Sequence, residues 1–216
     1  MPTVFALDVT CQVVSLARVQ TTDDGSPARV TRGWVEPEPI HPNPRPTYLV
    51  ERRGRTADEV VSKLTSDRNP DLVVFAKQLW GHMTGLRDRG RVVAPADPSA
   101  DHRLYLHGLI EAKLAHRGIP LAEIPYSTAL KWATGKGNNS ATQIMTGVTQ
   151  YADEVLGVRQ RKYGNETLPF RPGVAVLAAM GAQALGISVD GVSDTEQRMT
   201  ILRGEDNRSI RWDIDF

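Results

Sequence analysis

The chain has 216 residues, enough for one substantial α/β domain with its own core and too few for two large ones. Its 40% hydrophobic and 24% charged content excludes wholesale disorder, and a net charge of +1 excludes a globally basic surface, so any polyanion site must come from local clustering. The single cysteine, Cys11, excludes an internal disulfide or a thiolate-built metal cluster; with neither a signal-peptide pattern nor a membrane-length apolar run, a cytoplasmic protein without membrane contact is expected.

In chain order, Thr3–Leu7 is a short apolar strand ending at Asp8, and Val13–Val19 is a second. Asp23-Asp24-Gly25-Ser26-Pro27 is turn chemistry leading to a third strand, Arg29–Val35, so the opening reads as an antiparallel meander. Glu36–Pro46, with five prolines, predicts an extended loop. Thr56-Ala57-Asp58-Glu59 reads as a helix N-cap ahead of Val60, Val61 and Leu64, and Asn69-Pro70 as the stop. Asp71–Ala76 is apolar almost throughout, as in a strand covered on both faces.

Gly81–Pro98 is rich in Gly, Arg and Pro and predicts a flexible loop. A helix is expected over Asp101–Arg117, with Leu104, Leu106, Leu109, Ile110 and Leu114 on its apolar face and Gly118 as its stop. Then come a strand at Pro120–Ile124, a short helix at Ser127–Trp132, a glycine-rich loop at Thr134–Asn139, and a helix from Ser140 to about Leu156. Gly157–Pro169 reads as a polar, basic loop, Gly173–Leu185 as a buried alanine-rich helix, and Arg198–Phe216 as a β-hairpin. The division expected is a domain over 1–187 and an extension over 188–216.

Three local sequences in this order resemble the RuvC family of Holliday-junction resolvases, including its phage and actinobacterial members. Phe5-Ala6-Leu7-Asp8-Val9-Thr10 is similar to the family's first strand ending in a metal-binding aspartate. Ile124-Pro125-Tyr126-Ser127 through Leu130-Lys131-Trp132-Ala133-Thr134-Gly135-Lys136-Gly137-Asn138 is similar to its tyrosine-proline strand end, following helix and T-G-K-G-N loop. Ala175–Ala182 resembles its final helix. The resemblance implies an RNase H-like α/β fold: a mixed five-stranded sheet with helices on both faces, here with the C-terminal β-hairpin added.

It also implies phosphodiester hydrolysis by two divalent metals held by four acids. Carried over position by position, only Asp8 remains an acid. The central-strand glutamate falls on Ala76, the two final-helix aspartates on Arg171 and Val174, and a lysine after the glycine-rich loop on Ala141. Two Mg²⁺ ions need several anionic oxygens, and an arginine at the site repels them. The expectation is therefore a relic site at Asp8 with no resident metal or cofactor, in a pseudonuclease that binds branched or single-stranded DNA or a protein partner.

Two alternatives stand beside it. One is an active Mg²⁺-dependent, structure-selective endonuclease using Asp8 and unrecognised acids: Asp71 falls at the far end of its strand and Glu111 beside the buried face of its helix, while Asp101 and His102 head that helix and reach the site if the preceding loop folds over. The other is a protein-binding or regulatory subunit. Candidate phosphate contacts are Lys77, Lys131 and Lys136, together with Arg87, Arg89, Arg91, Arg159, Arg161 and Lys162 in basic loops. Arg52-Arg53-Gly54-Arg55 is a further basic cluster expected in a loop, and Trp80 and His82 are candidates for stacking on an unpaired base. For Asp8 the bland reading is a turn residue, for the lysines a solvated charge, and for the glycines a helix connection. The helix over 101–117 matches the one that resembles a dimer surface in resolvases, so a homodimer is also expected.

Overall fold

The computed structural model describes residues 1–39, 42–77, 86–88, 91–94, 100–137, 140–160, 162–163, 166–167, 170–204 and 210–214; of 86–88, 91–94, 162–163 and 166–167 only the backbone is described. Strands β1 (Thr3–Val9), β2 (Val14–Gln20) and β3 (Val30–Val35) form the expected meander. β4 (Leu72–Ala76) joins β1 in parallel, and β7 (Leu121–Ile124) joins β4 in parallel. With Arg211–Trp212 as β10, the sheet runs β10-β7-β4-β1-β2-β3, so it has six strands where five were expected.

The sixth, β10 (Arg211–Trp212), pairs antiparallel with β7. Met199–Leu202, expected in a hairpin strand, lie instead in a helix, α6 (Glu196–Leu202), whose Thr195 Oγ1 accepts the Arg198 amide at the N-cap. The C-terminal strand therefore pairs with the main sheet and not with its own chain neighbour.

Alternation along β1 splits the core. Val4 and Ala6, with Ala17, Leu72, Val74 and Ala76, face α5 (Val174–Ala184); Phe5, Leu7 and Val9, with Val73 and Phe75, face α1 (Pro46–Leu64) and α2 (Ala100–Ala115). All residues from Val174 to Gln183 are buried, which is why that helix lacks a polar stripe. Gly181 allows the close approach: a Cβ there would lie 2.6 Å from Val74 Cγ2. Residues beyond 187 add Val189, Ile201 and Leu202 to the same core, and Ala28 bridges to Val189.

α1 begins ten residues before the expected cap, at Pro46, where a fixed φ suits the first helical position. Thr56 is buried inside it, its hydroxyl donating to the Arg52 carbonyl at 2.9 Å. Arg52, Arg53 and Arg55 are consequently helical and not in a loop; Arg52 is buried and Arg55 pairs with Glu38 at 2.8 Å. On α2, Leu106, Ile110 and Leu114 are buried as expected, whereas Leu104 is half-buried and Leu109 is exposed. Two segments expected as loops contain short antiparallel pairs, β5 (Leu86–Asp88) with β6 (Arg91–Ala94), and β8 (Lys162–Tyr163) with β9 (Glu166–Thr167). Among the described residues the remaining helices are α3 (Tyr126–Thr134) and α4 (Ala141–Glu154), the latter with Ser140 at its N-cap position.

Candidate functional site

Register builds the site. The β1–β4 ladder pairs Ala6 with Val74 and Leu7 with Phe75, so Ala76 follows beside Asp8 on the α5 side of the sheet. The β4–β7 ladder ends at Ala76 with Ile124, after which Pro125 turns the chain into α3 and delivers Tyr126. Ser15, opposite Asp8 on β2, accepts the Arg171 amide through its Oγ at 3.0 Å and so fixes the chain entering α5.

Asp8 is buried, and its Oδ2 carries two contacts. The Tyr126 hydroxyl donates to it at 2.8 Å, and Arg171 Nη1 lies 3.3 Å away. A charge-assisted phenol bond and an ion pair thus hold one carboxylate oxygen. The Arg171 side chain is half-exposed, so the pair sits at the cleft wall and not deep in the core. Burial, then the Asp8 charge and its hydrogen bond, push the Tyr126 phenol well above its ordinary value of 10.0, with Arg171 pulling the other way.

Tyr126 is therefore a neutral donor at ordinary pH. In the unfolded chain it loses its proton near pH 10 while the folded protein retains it, so its stabilising effect is complete below that pH and is lost as pH climbs toward the folded value. Alkaline melting should show stability falling above about pH 10, less steeply in Tyr126→Phe. Identical alkaline slopes for the two proteins would refute the assignment.

A cleft of about 230 Å³ opens over these groups, lined by Asp8, Ala76, Lys77, Arg103, Tyr126 and Arg171 among others. Among the described lining residues there are three cations and one carboxylate, one of the cations being Arg171, paired with Asp8. Ala141, where the resemblance places a lysine, also lines it. Val174, at the second aspartate position, is fully buried as the first residue of α5 and offers no ligand atom.

The alternative acids lie elsewhere. Asp71, at the other end of β4, accepts the Thr3 amide at 2.7 Å. Glu111 lies 3.1 Å from His107 on the α1–α2 side of the sheet. Asp101 is exposed, and His102 contacts Arg53 on α1. The donor set at Asp8 does not fit a pair of hard cations: of the four acid positions implied by the resemblance, one is an acid and another is the guanidinium paired to it.

Of the expected phosphate contacts, Lys77 lines the cleft, Lys131 is half-buried on α3 and Lys136 is exposed. Gly135 has φ +72° and closes α3, its carbonyl accepting from Gln197 of α6, so the glycine-rich loop does serve as a helix connection. Arg159 pairs with Asp153 at 2.6 Å. Arg87 and Arg91 lie on β5 and β6 and Lys162 on β8, with their side chains outside the description; Arg89, Arg161, Trp80 and His82 are outside the described residues. Sequence reasoning missed Arg103, which nothing marks locally, and the role of Tyr126, whose place after a strand and before a helix was the available signal.

No protein-family model matches the chain, and no curated protein matches it in sequence. Solved structures do match. RuvC of Thermus thermophilus aligns at TM-score 0.55 and 16% identity, over 87% of this chain and 99% of that one. The same protein in complex with a Holliday junction aligns at 0.53 and 16%, over 88% and 99%. The fowlpox virus resolvase bound to Holliday junction DNA aligns at 0.50 and 11%, over 85% and 98%. Identity at this level speaks for architecture alone. In architecture, then, the chain shares the fold of these Holliday junction resolvases.

Proposed function

We propose that the protein binds branched DNA on its cleft side and does not cut it by a two-metal mechanism. The observation that carries this reading is the Asp8–Arg171 ion pair beside Ala76. A carboxylate already neutralised by a guanidinium, with a methyl group where a second acid would stand, offers too little negative charge to strip water from Mg²⁺. Beyond that ion pair the cleft carries Lys77 and Arg103, which with the exposed Lys136 suit a phosphate backbone. Two of the structures sharing this fold are complexes with Holliday junction DNA. A homodimer through α2 belongs to the same reading, since Tyr105 and Leu109 stand exposed on that helix.

A four-way junction titrated in a gel-shift assay with EDTA should be retarded by the protein. Engagement of three phosphates, by Lys77, Arg103 and Lys136, implies a loss of affinity of roughly 40-fold between about 50 and about 200 mM salt. Lys136→Ala should reduce the salt slope by about one. No product should form with Mg²⁺ or Mn²⁺. Metal-dependent product would overturn the pseudonuclease reading, and a chain that neither shifts nor cuts the junction would point to a protein-binding subunit.

A further inference from the structure

A second cluster lies on the face of the sheet opposite Asp8. His107 and Glu111 are one turn apart on α2, and Glu123 reaches the same spot from β7. His107 Nε2 is 3.1 Å from Glu111 Oε1 and 3.8 Å from Glu123 Oε1, and one ligand atom from each of the three residues falls within 4.8 Å of the others. The imidazole is 5% exposed and packs against Phe75 with centroids 4.7 Å apart and the rings tilted by 51°, yet among the described residues neither ring nitrogen makes a well-directed hydrogen bond. Buried polar atoms are rarely left in that condition without an ion or water to meet them.

We infer that His107, Glu111 and Glu123 form a site for a borderline divalent cation of the Zn²⁺ class. Metal–ligand bonds of about 2.0–2.2 Å in a tetrahedron set ligand atoms roughly 3.4 Å apart, and the two imidazole–carboxylate distances bracket that value. The imidazole argues against Mg²⁺ or Ca²⁺, which take oxygen ligands. Two carboxylates supply the charge that offsets the cation, and three protein ligands leave one position open. Arg211 Nη1 approaches the other oxygen of Glu123 at 3.7 Å; that side chain is 76% exposed and turns to solvent when a cation arrives. The ion would clip α2 to β7, and the assignment is independent of any role in DNA binding.

Calorimetric titration of the full chain with ZnCl₂ in a non-chelating buffer should give one equivalent with Kd at or below about 10 μM. Glu111→Gln and Glu123→Gln, at partly exposed positions that spare the ring packed on Phe75, should each weaken it at least about tenfold. Asp8→Asn should leave it unchanged. Zn²⁺ should raise the Tm of the wild type and not of the double glutamine variant. Absence of a saturable one-to-one heat, or binding indifferent to both glutamine substitutions, would overturn the site.

Discussion

Trp132→Ala is expected to remove about 3–5 kcal/mol of stability, the range for deleting a large buried aromatic. Trp132 is 1% exposed and joins four helices. Its indole Nε1 donates to Gln183 of α5 at 2.8 Å, Tyr151 of α4 meets it edge-on, and the Arg198 guanidinium of α6 lies 4.7 Å from its ring centroid. Arg198 in turn donates to the Trp132 carbonyl, the Ser193 carbonyl and the Tyr151 hydroxyl. Truncation leaves a cavity and strips partners from Gln183 and Arg198, so the transfer and hydrogen-bond losses act together. In a domain of this size the Tm should fall by roughly 6–20 °C. A loss under about 1 kcal/mol in urea denaturation would show that the helices around Trp132 are not bound into the core.

The second large effect concerns charge at the cleft. Ala76→Glu combined with Arg171→Asp changes the summed charge of positions 8, 76 and 171 from 0 to −3. Three carboxylates around one point repel each other and need a cation. Without divalent metal the double variant should melt below the wild type; Mn²⁺ should restore the difference, because binding to the folded state alone stabilises it. Mn²⁺ affinity measured by calorimetry should rise at least about tenfold over the wild type. A variant that folds yet binds Mn²⁺ no better would show that charge at these positions is not what sets metal affinity.

The inner strands were legible because burial on both faces requires apolar runs. Leu72–Ala76 and the core half of β1 carry that mark, and Val174–Gln183, buried all round, carries its helical equivalent. Elsewhere tertiary context outweighs the local signal. Thr56-Ala57-Asp58-Glu59 has the composition of a cap but sits mid-helix, because Pro46 had already started the turn and Arg52 finds the Glu38 carbonyl. Met199–Leu202 is a short apolar run that fits strand or helix, and Thr195-Glu196 ahead of it was the sign that favoured helix.

At the cleft, the resemblance put Asp8, Ala76 and Arg171 together, and strand register does bring Asp8 beside Ala76 while Ser15 holds Arg171 in reach. Arg103 could not be found in this way. It arrives from a helix whose placement depends on packing against α1, about which residues 101–103 say nothing by themselves.

Phe75 and Ala76 are consecutive residues of one strand that look in opposite directions, the first onto the ring of His107 and the second into the cleft beside Asp8. A single peptide unit therefore separates the packed His107 ring from the cationic cleft. Enlarging or shrinking either side chain shifts backbone shared by both sides, so a substitution aimed at one of them is felt at the other.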